Sequence, residues 1–262
     1  MPTPSSVPNA VLSPHSRAIP EFLAQEVAQR MAEKLEIVRL QPKKIGHFGE
    51  LNLSVLASYY PESDHHCFDQ RFSSNVLTQF FKKITRQHFY TYQAPSDIGA
   101  ADFDLIWSNL ELHLQDDPNS LMKKWKNKLK PEGLLMFSYL GPDTGKDLAK
   151  LFRNDCLLRN AGSLDMHDVG DGLMRAGFSE PVMDMEYLTL SYDEPHLLCK
   201  EAFNLGLLTS PDSVQSLIEA PSHLTITLEV VYGHAWAPDA LLAQKKAGIT
   251  TISPDQIVRS KK

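Results

Sequence analysis

The sequence predicts a doubly wound, mostly parallel α/β sheet with an antiparallel edge, built from one main domain. Two continuous apolar runs of strand length, "FDLIWSN" and "LLMFSYL", are separated by a helix-patterned segment, as expected of strands buried on both faces. Two later segments, "PVMDMEYLTLSY" and "HLTITLEVVYGHAWAP", alternate like strands around the helical "HLLCKEAFNLGLL", so the chain ends on strands able to pair antiparallel.

Taken in order, Met1 to Pro20 is rich in Pro and Ser and reads as a flexible lead-in without the apolar centre of a signal peptide. Leu23, Val27, Met31 and Leu35 recur at steps of four, predicting an amphipathic helix that stops before Pro42. "KKIGHFGE" reads as a short strand and turn, followed by a helix over "LNLSVLASYY" that Pro61 ends. "HHCF" closes on Asp69, and "SSNVLTQFFKKITRQ" is a further helical pattern with a Ser pair as its cap. "HFYTYQ" is aromatic and prone to form a strand. "PNSLMKKWKNKLKPEG" places Leu121, Trp125 and Leu129 on one helix face and is stopped by Pro131 and Gly133. "SLDMHDVGDGLMRAGF" predicts a helix beginning near Ser163. The domain therefore spans residues 21–238, with a C-terminal tail over 239–262.

Composition bounds the function. A chain of 262 residues with 42% hydrophobic and 22% charged content has the makeup of a globular protein with a substantial core. A net charge of −6 gives no footprint for nucleic acid, and the absence of a long apolar run argues against a membrane span, so a cytoplasmic protein is expected. Cys67, Cys156 and Cys199 are far apart and odd in number, which fits buried reduced thiols better than a disulfide framework or a zinc ribbon. His65, His66, Cys67 and Asp69 are metal-ligand types, yet a strand points alternate residues to opposite faces, and no metal is expected. "GPDTGKDLAKLF" lacks the glycine spacing and the following Ser or Thr of a phosphate loop.

Ligands on open α/β sheets bind at the carboxyl ends of the strands, which singles out Gly46 to Gly49, Asp69, Tyr92, Gln93 and Ser108 to Leu110. His113 follows the "FDLIWSN" strand and has two readings, orienting a carboxylate or filling a structural place; the second is preferred, as it is for His223 and His234. "MKKWKNKLK" and "FFKKITR" suit an acidic partner by charge, but the preferred reading is a solvated helix face.

From about Ser16 to Pro238 the chain resembles the class I S-adenosylmethionine (SAM)-dependent methyltransferases, which have a Rossmann-like fold, and within them the malonyl-acyl-carrier-protein O-methyltransferase group of biotin synthesis. "FDLIWSN" with "LKPEGLLMFS" carries the broad likeness, while "GPDT", "HDVGDGLMRAGF" and "VVYGHAW" carry the narrower one. The resemblance implies methyl transfer from SAM to a carboxylate on a carrier-bound thioester, with an acyl-carrier protein as partner. It also implies roles for particular residues: Gly46 and Gly49 allow backbone approach to SAM, Asp69 holds the ribose, and Ser108 with Asn109 lines the methionine end.

The chain departs from that pattern where relatives carry an acid and a Gly-x-Gly-x-Gly loop. Aligned by Tyr60 and Pro61, the acid's place falls near Lys43 and two glycine places fall on Ile45 and His47; aligned by "LQP", the segment is several residues short. A lysine beside a cationic cofactor at about 4 Å would repel it by roughly 1 to 4 kcal/mol. Tyr92 or Gln93 stands where relatives usually have an Asp for the adenine amino group. Two readings therefore stand together: a SAM-dependent methyltransferase with a distorted loop, and an inactive methyltransferase-fold protein that binds a protein partner. A cofactor-shaped void above Gly49 favours the first, and its filling by His47, Phe48 or Tyr92 the second.

Overall fold

The computed structural model describes residues 19–50, 53–68, 90–93, 102–153, 156–157, 164–217 and 224–238. Asp69, the helical pattern over 73–87, His223, the lead-in up to residue 18 and the tail from 239 lie outside the described residues.

The helices are α1 (Glu21–Glu33), α2 (Leu53–Tyr59), α3 (Pro118–Lys128), α4 (Leu148–Leu151), α5 (Met166–Arg175) and α6 (Pro195–Asn204). The strands are β1 (Lys44–Gly49), β2 (Asp64–Phe68), β3 (Tyr90–Gln93), β4 (Phe103–Asn109), β5 (Leu129–Leu140), β6 (Ser179–Tyr192) and β7 (Leu224–Trp236). The seven strands form one sheet in the order β3-β2-β1-β4-β5-β7-β6. β1 to β5 pair in parallel, and β7 inserts antiparallel between β5 and β6. The antiparallel edge expected from the alternating segments is thus a long β6–β7 hairpin-like pair.

The periodic stripe of α1 is buried as the spacing requires: Leu23, Val27 and Met31 are nearly inaccessible. Each such side chain contributes about 1.5–3 kcal/mol on burial. The helix ends at Glu33, earlier than the approach to Pro42 suggested, and a 3-10 turn over Lys34–Ile37 carries Leu35 into the same core. Two ion pairs tie α1 and the turn after it to β6, Arg30 of the helix with Glu186 and Lys34 of the turn with Asp184, both at 2.6 Å.

A second core lies on the opposite face, where Trp125 of α3 and Leu173 of α5 pack with Phe103, Phe137 and Tyr139. The caps are local chemistry: Asp117 accepts from the Ser120 amide at 3.0 Å with Pro118 at the first helical position, and Asp165 accepts from the His167 amide at 2.8 Å. The fifth helix therefore starts at Met166 and not near Ser163. Leu129 also departs from the helical stripe assigned to it, because α3 stops at Lys128 and Leu129 opens β5, pairing with Phe103. Its apolar side chain satisfies both patterns, so periodicity alone does not separate them.

Among the described residues, no helix is long and apolar enough to cross a membrane. Cys67 and Cys199 are buried, and burial pushes the Cys199 thiol up to about 11.

Candidate functional site

In this strand order the crossovers change direction between β1 and β4, so the carboxyl ends of these neighbours form the crevice where open α/β sheets hold ligands. Gly49, Ser108 and Asn109 come together at that edge, since Phe48 pairs with Ser108 and Gly49 with Asn109. Gly46 does not reach it. It lies mid-strand with the ring of Phe103 against it, 3.3 Å from where a Cβ would stand.

Gly49 is required by the backbone itself. Its φ is +74°, and a Cβ there would stand 2.3 Å from the Asn109 carbonyl oxygen and 2.8 Å from the Glu111 Cβ. The Glu50 amide donates to the same Asn109 carbonyl at 2.9 Å, so β1 leaves the sheet pressed against the exit of β4. Only residues 50–52 separate β1 from α2, and a multi-glycine loop has no length to form between them.

Asn109 is buried, and its amide joins three elements: Nδ2 donates to the Ala24 carbonyl of α1 at 2.9 Å, and Oδ1 accepts from the Ser138 hydroxyl of β5 at 2.9 Å. The Ser138 oxygen in turn accepts from the Leu110 amide at 3.0 Å. Leu110 adopts φ +52°, turning the chain so that Glu111 comes back beside β4. There the Ser108 hydroxyl donates to Glu111 Oε2 at 3.1 Å. Glu111 is half-buried, and burial pushes its carboxyl up to about 7, with the Ser108 hydrogen bond and Lys124 working in the other direction.

His47 and Phe48 take opposite faces of β1. His47 shares the face of Ile45, stacks on His65 with ring centroids 5.1 Å apart and places Nε2 2.8 Å from His65 Nδ1. Burial, aided by His65 and His66, holds its imidazole well below the usual histidine value. Phe48 stacks on Phe68 at 4.8 Å, and Phe68 meets Phe103 edge-on at 5.6 Å. Against Gly49 stand the Asn109 carbonyl and the Glu111 Cβ at the exit of β4.

Lys43 corrects an expectation. Its backbone precedes β1 at the amino end of the strand, where its amide and that of Lys44 donate to Asp104 at 3.0 and 2.9 Å. At about 3.3 Å of rise per residue, it stands roughly 20 Å from the carboxyl edge, too far to repel a ligand held there.

Known proteins share both this fold and this sequence. Over 84% of this chain and all of the other, the YcgJ protein of Bacillus subtilis superposes with a TM-score of 0.55 at 10% identity; a Bacillus halodurans protein does so with a TM-score of 0.53 at 12% identity, over 80% and 99%. These likenesses concern the fold alone. No family model matches the chain. A malonyl-[acyl-carrier protein] O-methyltransferase of Methylovorus sp. (strain MP688) is 32% identical over 254 residues, 85% of this chain and 84% of that one. Its namesake in Gallionella capsiferriformans (strain ES-2) is 33% identical over 259 residues, 88% and 89% of the two chains. The chain belongs to the malonyl-[acyl-carrier protein] O-methyltransferase family.

Ser138 and Glu111 were not among the residues singled out from sequence, although both complete the network around Ser108 and Asn109. Ser138 sits inside the apolar "LLMFSYL" run, where a lone polar residue on a buried strand was the available signal. Glu111 lies two residues beyond the end of a buried strand, directly after Leu110, and only the turn at Leu110 gives it a place in the site.

Proposed function

We propose that this chain methylates the free carboxylate of a malonyl group carried on an acyl-carrier protein, with SAM as methyl donor. The single observation that carries this reading is identity of 32% and 33% to two malonyl-[acyl-carrier protein] O-methyltransferases over 85% and 88% of the chain. The donor set at the β1–β4 edge suits the positively charged end of SAM, because the Glu111 carboxylate is hydrogen-bonded through one oxygen and has no ion-pair partner among the described residues. SAM supplies an electrophilic methyl group on a sulfonium.

The remaining requirements fall on this chain's residues. A malonyl carboxylate is ionised at neutral pH, so no general base is needed, and rate comes from orientation and from exclusion of water. The Asn109–Ser138–Ala24 network fixes the edge rigidly by joining β4, β5 and α1. Ser108 holds the Glu111 carboxylate in place. Gly49 and Gly46 belong to the strand that leads into the site, and Asp69, directly after β2, is the residue proposed to hold the ribose hydroxyls.

A second reading has its own observation. The link of residues 50–52 is too short for a glycine cradle, and the position against Gly49 is met by Asn109 and Glu111. These features favour a family member that binds a protein partner without catalysis. Calorimetric titration with SAM and S-adenosylhomocysteine, with Asp69→Ala as control, separates the two. Micromolar binding weakened in the control, followed by gain of one methyl group on malonyl-acyl-carrier protein, supports methyl transfer. No binding up to millimolar ligand supports the second reading.

A further inference from the structure

We infer that Glu111 is the binding residue for the cationic amino-acid end of SAM, taking over at the exit of β4 the anionic role that β1 of this chain has no acid to perform. The inference rests on the methyl-donor reading above and adds the residue that makes it possible in a chain with a shortened β1–α2 link.

Three observations support it. The first is position: the Glu111 Cβ lies against Gly49, at the point where β1 and β4 diverge at the carboxyl edge. An anion in that crevice faces whatever ligand the edge receives. The second is what surrounds it. β1 and β4 contribute neutral groups, Gly49, Ser108 and Asn109, and α3 contributes Lys124, the one charge among the described residues that acts on it. Lys124 is exposed and forms no ion pair with it, so among the described residues the carboxylate is held by the Ser108 hydroxyl. The third is cost. A half-buried carboxylate with one hydrogen bond is poorly compensated, and a cation brought beside it recovers that cost on binding.

β1 offers no alternative. Its residues Lys44, Ile45, Gly46, His47, Phe48 and Gly49 contain no acid, and Lys43 lies at the far end of the strand. Glu50 follows β1 but is engaged through its backbone in the Asn109 contact and makes further interactions of its own.

The test is calorimetry with SAM and with S-adenosylhomocysteine, which lacks the sulfonium charge, on the full chain and on Glu111→Gln, each in phosphate and in Tris so that proton release is read directly. Burial raises the Glu111 carboxyl to about 7, so near that pH SAM binding to the wild type should release a fraction of a proton. Glu111→Gln should abolish the release and weaken SAM about ten-fold or more, and S-adenosylhomocysteine, which carries the same α-ammonium, comparably. Unchanged SAM affinity and unchanged release in Glu111→Gln would overturn the inference while leaving the methyl-donor reading intact. Failure of the wild type to bind either compound would overturn both. Should the variant not fold, Glu111→Asp, which keeps the charge but draws it back by one methylene, decides: SAM affinity should fall several-fold, and an unchanged affinity refutes the assignment.

Discussion

Replacing His113 by Leu should make the protein markedly more resistant to acid. His113 sits in the 3-10 turn Leu112–Leu114 beyond β4, is 8% exposed, and neither ring nitrogen finds a hydrogen-bond partner among the described residues. Burial alone lowers its imidazole from 6.5 to about 3. With the folded value depressed, the unfolded chain takes up its proton first as pH falls. The stability contributed by the neutral ring is whole above about 6.5 and is lost progressively down to about 3. Each pH unit in that window is worth about 1.4 kcal/mol, so from about pH 6.5 to about 4.5 the wild type should lose roughly 2–3 kcal/mol that His113→Leu retains. Glu111 has the opposite sign, since its raised value favours the folded state at low pH, and its contribution is lost as pH rises through about 7. It is present in both proteins, as are His47, His66 and His234, whose values burial also lowers, so all four cancel in the difference. Urea unfolding followed by circular dichroism, at about pH 7 and about pH 4.5, reads the difference. If the stability gap between the two proteins stays constant with pH, His113 is solvated or hydrogen-bonded and the reasoning is refuted.

Gly49→Ala should cost several kcal/mol, because a left-handed backbone and a Cβ at 2.3 Å from a carbonyl oxygen leave no place for the methyl group; a midpoint of urea unfolding within error of the wild type would contradict this. Asn109→Leu removes both amide hydrogen bonds and should destabilise by about 2–4 kcal/mol, measured the same way. Glu229→Ala should expose residues 141–147 to limited proteolysis, because buried Glu229 accepts from the Asp143 amide at 2.6 Å and holds that loop on β7; identical cleavage rates would show that the Gly145 and Thr227 backbone pairing suffices.

Much of this fold was legible in the sequence because hydrophobic pattern and burial coincide. The stripe of α1, the two-face burial of β4 and the alternation of β6 are each direct consequences of one element having one or two covered faces, whereas β7, flanked by β5 and β6, is buried on both faces over Leu228–Gly233. Leu129 was misplaced because an apolar residue at the junction of α3 and β5 satisfies a period of four as well as a strand start. The site was legible only in part. Gly49, Ser108 and Asn109 converge because the rule of carboxyl ends depends on strand order, which alternation of elements implies. Glu111 escaped notice because its place is set by a single backbone angle at Leu110, and dihedrals leave no periodic trace for a residue outside Gly. The pairing of His47 with His65 was hidden for another reason: it depends on register between β1 and β2, which neither strand encodes alone.

The ion pairs from α1 to β6 bear on how copies of this protein behave at high concentration. β6 is the outermost strand beyond β7 and, among the described residues, has no strand on its other edge along Ser179–Tyr192, the kind of edge that recruits a strand from another molecule. Pro181 withdraws one amide, the register shifts between Ser179 and Val182, and Asp184 and Glu186 are clamped by Lys34 and Arg30 in place on the strand. An incoming strand would have to pair across an interrupted ladder and past two fixed carboxylates. The helix that begins the domain thereby also keeps its last-placed strand from becoming a template.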